Sequence, residues 1–319
     1  MSQHFLLSAQ ARTLSLVKVM RLSDDEAFDT FKKVRWAETG GEAVCPRCGG
    51  VESYEYTARR IFKCKACQRQ FSVTTGTIFA NRKMALRDLL AAIAIFVNGA
   101  KGVSALQLSR DLDCQYKTAF VLAHKLREAM GSAQRGVMLD GEIEVDGAYV
   151  GGFVRQKNIR KDRIDRRRKV HKSGKRRSVI VARERGGRAI TGVFRSERAS
   201  AGFLISRIKD GSVVYTDEAA SWEPVRDYFL TYSINHQEAY ALGDICTNQA
   251  ESFFSRLRRA ELGTHHHISG PYLAAYAGEM AWRENERRAS NGEQFRKLVT
   301  TCMALPESRQ WKGYWQRAA

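Results

Sequence analysis

Four cysteines constrain this chain more than any other feature. Cys45 and Cys48 form one Cys-x2-Cys pair and Cys64 and Cys67 a second, with 15 residues between the pairs. Each pair makes a tight knuckle that aims two thiolates at one point, and two knuckles close a tetrahedral metal site. Redox-active Cys-x-x-Cys pairs are the alternative use of such spacing. A closed site leaves no open position for chemistry, so the expected cofactor is a structural Zn2+ that folds a small β-ribbon. Tyr54, Tyr56 and Phe62 would lie in its strands, and Arg47, Arg59, Arg60, Lys63, Lys65 and Arg69 would give it a basic surface. Cys114, Cys246 and Cys302 are scattered. That usage suits a reducing compartment better than a disulfide scaffold.

The charge balance points to the partner. The 319 residues carry 53 Lys and Arg against 34 Asp and Glu, a net +19. An excess of this size favours a polyanion, nucleic acid first. It is concentrated: residues 155–177 hold 13 basic residues and two aspartates, which is 11 of the 19 charges. Such a stretch is too charged to pack and reads as a solvated arm that grips phosphates, with Arg166, Arg167 and Arg168 at its centre. The alternative is a solubilising loop. No apolar run reaches a membrane-spanning length and no signal-peptide cleavage pattern is present, so the expected location is cytosolic, on DNA.

Helix signals dominate the first 135 residues. Ser23-Asp24-Asp25-Glu26 reads as a capping box opening a helix with Phe28, Phe31 and Val34 on one face. Residues 84–98 read as an apolar helix stopped by Gly99. Ser104 can cap a short helix with Leu106, Leu108 and Leu112 as apolar positions, and a second helix runs from about Gln115 to Met130 with Ala119, Leu122 and Leu126 inward. Two short helices joined at Asp113–Cys114 resemble a helix-turn-helix. Gln115, Lys117 and Thr118 would face base edges, and His124, Lys125 and Arg127 would reach phosphates. An ordinary helical hairpin is the alternative.

From Gly141 the chain becomes strand-rich. IEVDGAYV (143–150) alternates Ile143, Val145 and Gly147 against Glu144, Asp146 and Ala148, a strand with a lone Asp in it. SVVYTDEAASW (212–222) repeats the pattern, an apolar strand ending at Asp217. TNQAESFFSRLRR (247–259) is a helix with Asn248 and Glu251 at i and i+3, on one face. Two strand carboxylates and one helical carboxylate can converge on divalent metal, an arrangement suited to phosphoryl transfer on nucleic acid. A hairpin around Gly186–Gly187, a helix at 200–209, a helix around 222–229 and a strand near Tyr232–His236 complete the order of a ribonuclease-H-like core. His265–His266–His267 reads as a polar loop, and Arg283, Asn285, Arg287 and Arg288 as a basic helical patch.

With these motifs assembled, the chain resembles bacterial insertion-sequence transposases with an N-terminal zinc ribbon and a DDE- or DDNK-type catalytic domain, the ISXO-like group. The resemblance covers roughly residues 24–300. It rests on CPRCGG, KCKACQRQFSVTTGTIF, KGVSALQLSRDL, EVDGAYVGG, VYTDEAASW, TNQAESFFSRLRR and EMAWRENERR in that order. It implies a ribonuclease-H-like fold, Mg2+ dependence, and cutting and joining at terminal inverted repeats. Asp146 and Asp217 match the first two catalytic acids. Family naming allows Asn248 as the third. Spacing favours Glu251, because 33 residues separate it from Asp217, close to the interval usual in related nucleases, against 30 for Asn248. A carboxylate is also the better ligand for Mg2+. Two departures stand out: Gly147 follows the first Asp where the family often has an acid, and Arg258 stands where a late lysine is usual.

The expected architecture is therefore multidomain α+β. It comprises an N-terminal helical segment (1–40), a zinc ribbon (41–80), a helix-turn-helix-like DNA-binding region (81–135), a ribonuclease-H-like α/β catalytic domain with a mixed sheet (136–300) and a C-terminal tail (301–319). The expected activity is that of a DNA transposase. Asp146, Asp217 and Glu251 would hold two Mg2+ ions, Asn248 would assist, and Gln115, Lys117, Thr118, Arg166, Arg167, Arg168 and Arg258 would contact double-stranded DNA. Joining two ends calls for a homodimer or higher oligomer. A DNA-binding regulator with an inactive nuclease core, and a host nuclease or resolvase of the same fold, are the competing readings.

Overall fold

A computed structural model describes residues 5–152, 154–165, 173–234 and 246–317. Arg166, Arg167 and Arg168 lie outside the described residues, as does the end of the expected strand at His236. The chain divides into two compact units, residues 1–130 with 286–319 and residues 131–285.

The first unit opens with α1 (Leu16–Met20) and α2 (Asp24–Arg35). The capping box forms as its spelling requires: Ser23 Oγ accepts the Glu26 N–H at 3.2 Å, and Glu26 Oε2 accepts the Ser23 N–H at 2.7 Å. A three-stranded antiparallel ribbon follows, β1 (Ser53–Tyr56), β2 (Ile61–Cys64) and β3 (Gln70–Ser72). Short strands of this kind bury too little apolar surface to stand alone. Aromatic rings supply the rest: Phe62 of β2 meets Phe28 of α2 at 6.1 Å, Trp36 at 5.4 Å and Phe71 of β3 at 5.5 Å. Helix α3 (Leu86–Asn98) is apolar all round and accordingly buried along nearly its whole length.

Helices α4 (Ala105–Asp111) and α5 (Tyr116–Ser132) come next. Ser104 caps α4 through the Gln107 N–H at 3.1 Å, and Asp113 turns the chain with a positive φ of 46°. The inward positions expected in α5, Ala119, Leu122 and Leu126, are buried, but elsewhere in the pair the burial differs from expectation. Leu108 is buried but Leu106 is half exposed. His124 and Arg127 are buried and do not reach a phosphate. His124 stacks on Trp311 at 4.3 Å, and Arg127 lies over Phe96 at 5.2 Å and donates to the Val103 carbonyl.

The second unit is built on the sheet β6-β5-β4-β7-β8. Its strands are β4 (Glu142–Val150), β5 (Arg177–Glu184), β6 (Ala189–Phe194), β7 (Val213–Asp217) and β8 (Leu230–Ile234). The first three run antiparallel, whereas β4–β7 and β7–β8 pair parallel. Parallel pairing needs crossovers, which α6 (Ala201–Ile205) and α7 (Glu223–Arg226) provide on one face. There they bury Leu204 and Val225 with Ile143, Val145 and Val214. On the other face α8 (Asn248–Ala260) and α9 (Leu273–Asn285) bury Phe253, Phe254, Leu257 and Met280 against Ala148, Val179 and Val181. This mixed five-stranded sheet is consistent with the expected ribonuclease-H-like core. With helices on both sides the strand is central and Glu144 is only 1% exposed. The chain then returns to the first unit through α10 (Asn291–Ala304) and ends in α11 (Tyr314–Arg317).

Candidate active site

The strand register places the first two acids. Glu142, Ile143 and Glu144 of β4 pair in parallel with Val213, Val214 and Tyr215 of β7, and the same offset carries Asp146 level with Asp217. Asp217 is the last residue of β7, and Asp146 is the fifth of nine in β4, level with it on the neighbouring strand. Asp217 is held from its own loop: Trp222 Nε1 and the Ala219 N–H both donate to its Oδ1. Trp222 is itself buried, so its indole fixes that carboxylate on a rigid base. Glu251 sits one turn into α8, where Thr247 Oγ1 donates to its Oε1 at 3.4 Å. Asn248 is the exposed first residue of the same helix, and Arg258 is exposed in its last turn.

Asp146 registers the convergence. Burial raises its carboxyl from an ordinary 3.8 to about 7; the Gly147 N–H opposes the shift, while Asp217, Glu251 and Glu197 add to it. Glu197 was not anticipated from the sequence. It stands just ahead of a single 3-10 turn (Arg198–Ser200), and Ser221 Oγ donates to its Oε2 at 3.1 Å. Burial also raises the Glu197 carboxyl; the Ser221 hydroxyl opposes this, and Asp217 adds to it. Its approach depends on Gly147. A Cβ at that position would lie 2.7 Å from Glu197 Cγ and 2.9 Å from Oε1. The only signal in the sequence was a missing side chain, a glycine in the middle of a strand.

This donor set suits a hard divalent cation, which takes carboxylate oxygens and relieves their mutual repulsion. Asp146, Asp217 and Glu251 are less tightly gathered than the cysteines. Among the described residues, the four sulfurs of Cys45, Cys48, Cys64 and Cys67 are the only such group whose ligand atoms all lie within 4.8 Å of one another. Cys45 Sγ is 3.6 Å from Cys67 Sγ, and Cys48 Sγ is 3.6 Å from Cys64 Sγ. A tetrahedral zinc with bonds of about 2.3 Å spaces its sulfurs about 3.8 Å apart, so the cluster fits that ion. Gly50 keeps the site open, since a Cβ there would meet Cys64 Sγ at 3.3 Å.

In the first unit, Gln115, Lys117 and Thr118 are exposed at the start of α5. They line a cleft shared with Lys125, Trp311 and Trp315. The Trp315 indole donates to the Lys117 carbonyl at 3.2 Å, and the Lys117 ammonium lies 5.4 Å over the same ring. The expected base-reading turn thus carries a C-terminal aromatic side chain against it.

Two family descriptions match the chain. Residues 138–285 match an ISXO2-like transposase domain, and residues 22–70 match a transposase zinc-ribbon domain. Residues 138–285 are therefore an ISXO2-like transposase domain, preceded by a transposase zinc ribbon. The first match spans the sheet, the three acids and helices α6–α9; the second spans α2 and the cysteine ribbon. A protein of Halobacterium salinarum, described as an uncharacterized protein in transposable element ISH50, is 25% identical over 297 residues, 88% of this chain and 98% of that one. No solved structure matches the chain. Among the described residues, no helix is long and apolar enough to cross a membrane.

Proposed function

We propose that the protein is a DNA transposase that cuts and joins DNA at the terminal inverted repeats of a mobile element, with Asp146, Asp217 and Glu251 as its catalytic carboxylates. The observation that carries this reading is the electrostatic convergence on Asp146, whose carboxyl is raised by burial and by Asp217, Glu251 and Glu197 together. Glu251 is preferred to Asn248 as the third acid because a carboxylate is the better ligand for Mg2+.

Asp146, Asp217 and Glu251 would hold Mg2+, the hard cation that an all-oxygen donor set selects. Bound there, two such ions supply the Lewis acidity that in-line transfer at a phosphodiester requires. The chain's own groups do the rest. Trp222 and the Ala219 amide hold Asp217 in one rotamer. Asn248 presents a neutral amide one turn from Glu251, placed to orient a water or a phosphate oxygen. Arg258, two turns further along α8, offers a cation to the DNA backbone. The first unit, with its zinc ribbon and the exposed start of α5, would recognise the repeats through Gln115, Lys117 and Thr118. Arg166, Arg167 and Arg168 would grip phosphates without regard to sequence. Bringing two ends together calls for at least a dimer, working in the cytoplasm on the nucleoid. The test is Mg2+-dependent cleavage of repeat-end DNA. Glu251→Gln should abolish cutting with end binding intact, and Asn248→Ala should slow it by about 10- to 1,000-fold, the value of one transition-state hydrogen bond. Normal cutting by Glu251→Gln with a dead Asn248→Ala would reverse the assignment.

A further inference from the structure

We propose that Glu144 is a positioning residue, a buried latch that fixes the start of α8, and with it Glu251, against the strand that carries Asp146. The inference rests on the reading of Asp146 and Glu251 as partners in one metal-binding site. Its starting point is the open end of α8. The first amides of a helix have no partner within it. The Thr247 side chain, at the N-cap, does not cap them but turns to Glu251. Glu144 reaches across from β4 instead. Its Oε2 accepts the Gln249 N–H at 2.8 Å and the Ala250 N–H at 3.1 Å. A carboxylate at this end also meets the positive pole of the helix.

The other oxygen is engaged as well. Arg185 Nε lies 3.2 Å from Glu144 Oε1, with the Glu144 side chain only 1% exposed. Arg185 also donates to the Cys246 carbonyl at 3.2 Å, and its guanidinium lies 3.8 Å over the Tyr215 ring. Tyr215 in turn donates to Glu142 at 3.1 Å. The guanidinium therefore ties together β4, β7 and Cys246, two residues ahead of the helix. A buried carboxylate is costly unless charge and hydrogen bonds satisfy it, and here both do.

The geometry gives the latch a specific consequence. Glu144 stands two residues before Asp146 on one strand, and the amides it holds belong to the residues just before Glu251. One side chain thus sets the distance between the first and third acids. Losing it removes two charge-assisted hydrogen bonds from the first turn of α8 while leaving Phe253, Phe254 and Leu257 packed on the sheet.

The test compares zinc-loaded full-length wild type, Glu144→Gln and Glu144→Leu by amide hydrogen exchange and by the Mg2+ concentration that half-saturates cleavage of repeat-end DNA. In Glu144→Leu, exchange over residues 248–251 should quicken about ten- to a hundredfold, with β5 and β6 unchanged, and the Mg2+ midpoint should rise about tenfold or more. Glu144→Gln keeps one acceptor oxygen for the two amides but must turn its NH2 toward Arg185, so it should quicken exchange over residues 248–251 by a smaller factor, about three- to tenfold; that intermediate effect carries the test if the leucine variant does not fold. Unchanged exchange at 248–251, a uniform loss of protection across residues 131–285, or an unmoved Mg2+ midpoint would overturn the latch. If the wild type shows no Mg2+-dependent cleavage, the transposase reading fails, while the exchange measurement still decides whether Glu144 holds the helix.

Discussion

Replacing Asp146 with Asn should make the second unit more stable than the wild type at high pH, and by an amount that depends on pH. The Asp146 carboxyl stands at about 7 in the folded protein against an ordinary 3.8, first through burial and then through Asp217, Glu251 and Glu197. The sign follows from linkage. A carboxyl raised on folding gives up its proton more easily in the unfolded chain, so stability is fullest below 3.8, falls as pH rises toward 7, and is flat above. The gap between 3.8 and about 7, at about 1.36 kcal/mol per pH unit, sets a ceiling of about 4 kcal/mol. Between about pH 5.5 and pH 8.5 roughly half of that ceiling is crossed, and partial solvation of Asp146 reduces it to about 1 kcal/mol. The Asn variant does not titrate at this site. Its advantage over the wild type, in buffer without Mg2+, should therefore grow by about 1 kcal/mol over that window. The assay is amide exchange in β4 and β7, corrected for the intrinsic effect of pH on exchange. Added Mg2+ at high pH should stabilise the wild type and close the gap, because the cation takes over the charge that the proton neutralised. An advantage that does not change with pH, or equal stabilisation of both proteins by Mg2+, would refute the convergence of acids on Asp146.

Three further outcomes are expected. Cys48→Ser should reduce bound zinc to below about half an equivalent per chain and unfold the ribbon, while exchange in β4 and β5 stays protected; metal analysis and exchange check both. Gly147→Ala should destabilise the second unit by about 1–3 kcal/mol in denaturant unfolding, because its Cβ would have to displace Glu197. An unchanged midpoint would mean that Glu197 moves away freely. Neutralising Arg166, Arg167 and Arg168 should flatten the salt dependence of DNA binding by up to about 0.9 log unit per lost phosphate contact, equally on any sequence. An unchanged slope would make the arm a solubilising loop.

What could be read from the sequence was whatever is spelled locally. The cysteine knuckles, the Ser23 capping box and the acid-bearing segments each need only their own residues, and each forms as written. What could not be read depends on distant partners. The alternation in β4 placed Glu144 correctly on the face of Asp146, yet gave no sign that a helix more than 100 residues later would bring its amides to it. Glu197 carried no motif, because its position is set by the absence of a side chain at Gly147, 50 residues earlier. In α5 the period of 3.6 identified the helix and its inward Ala119, Leu122 and Leu126, but not how much further round it the rest of the unit would cover. His124 and Arg127 were accordingly given to phosphates, whereas Trp311 and Phe96 bury them. Nothing in the C-terminal tail showed that the turn of α5 at Lys117 would receive Trp315.

The central claim is that Asp146, Asp217 and Glu251 act as one metal-dependent centre for cutting and joining DNA. The most direct measurement incubates the purified wild type, Asp146→Asn, Asp217→Asn and Glu251→Gln with the repeat ends that flank the encoding element and a target DNA, with and without Mg2+, and follows nicked and strand-transfer products. Both products are expected from the wild type only with Mg2+, and neither from any of the three variants, each of which still binds the ends. Strand transfer that survives the loss of any one of these carboxylates would contradict it.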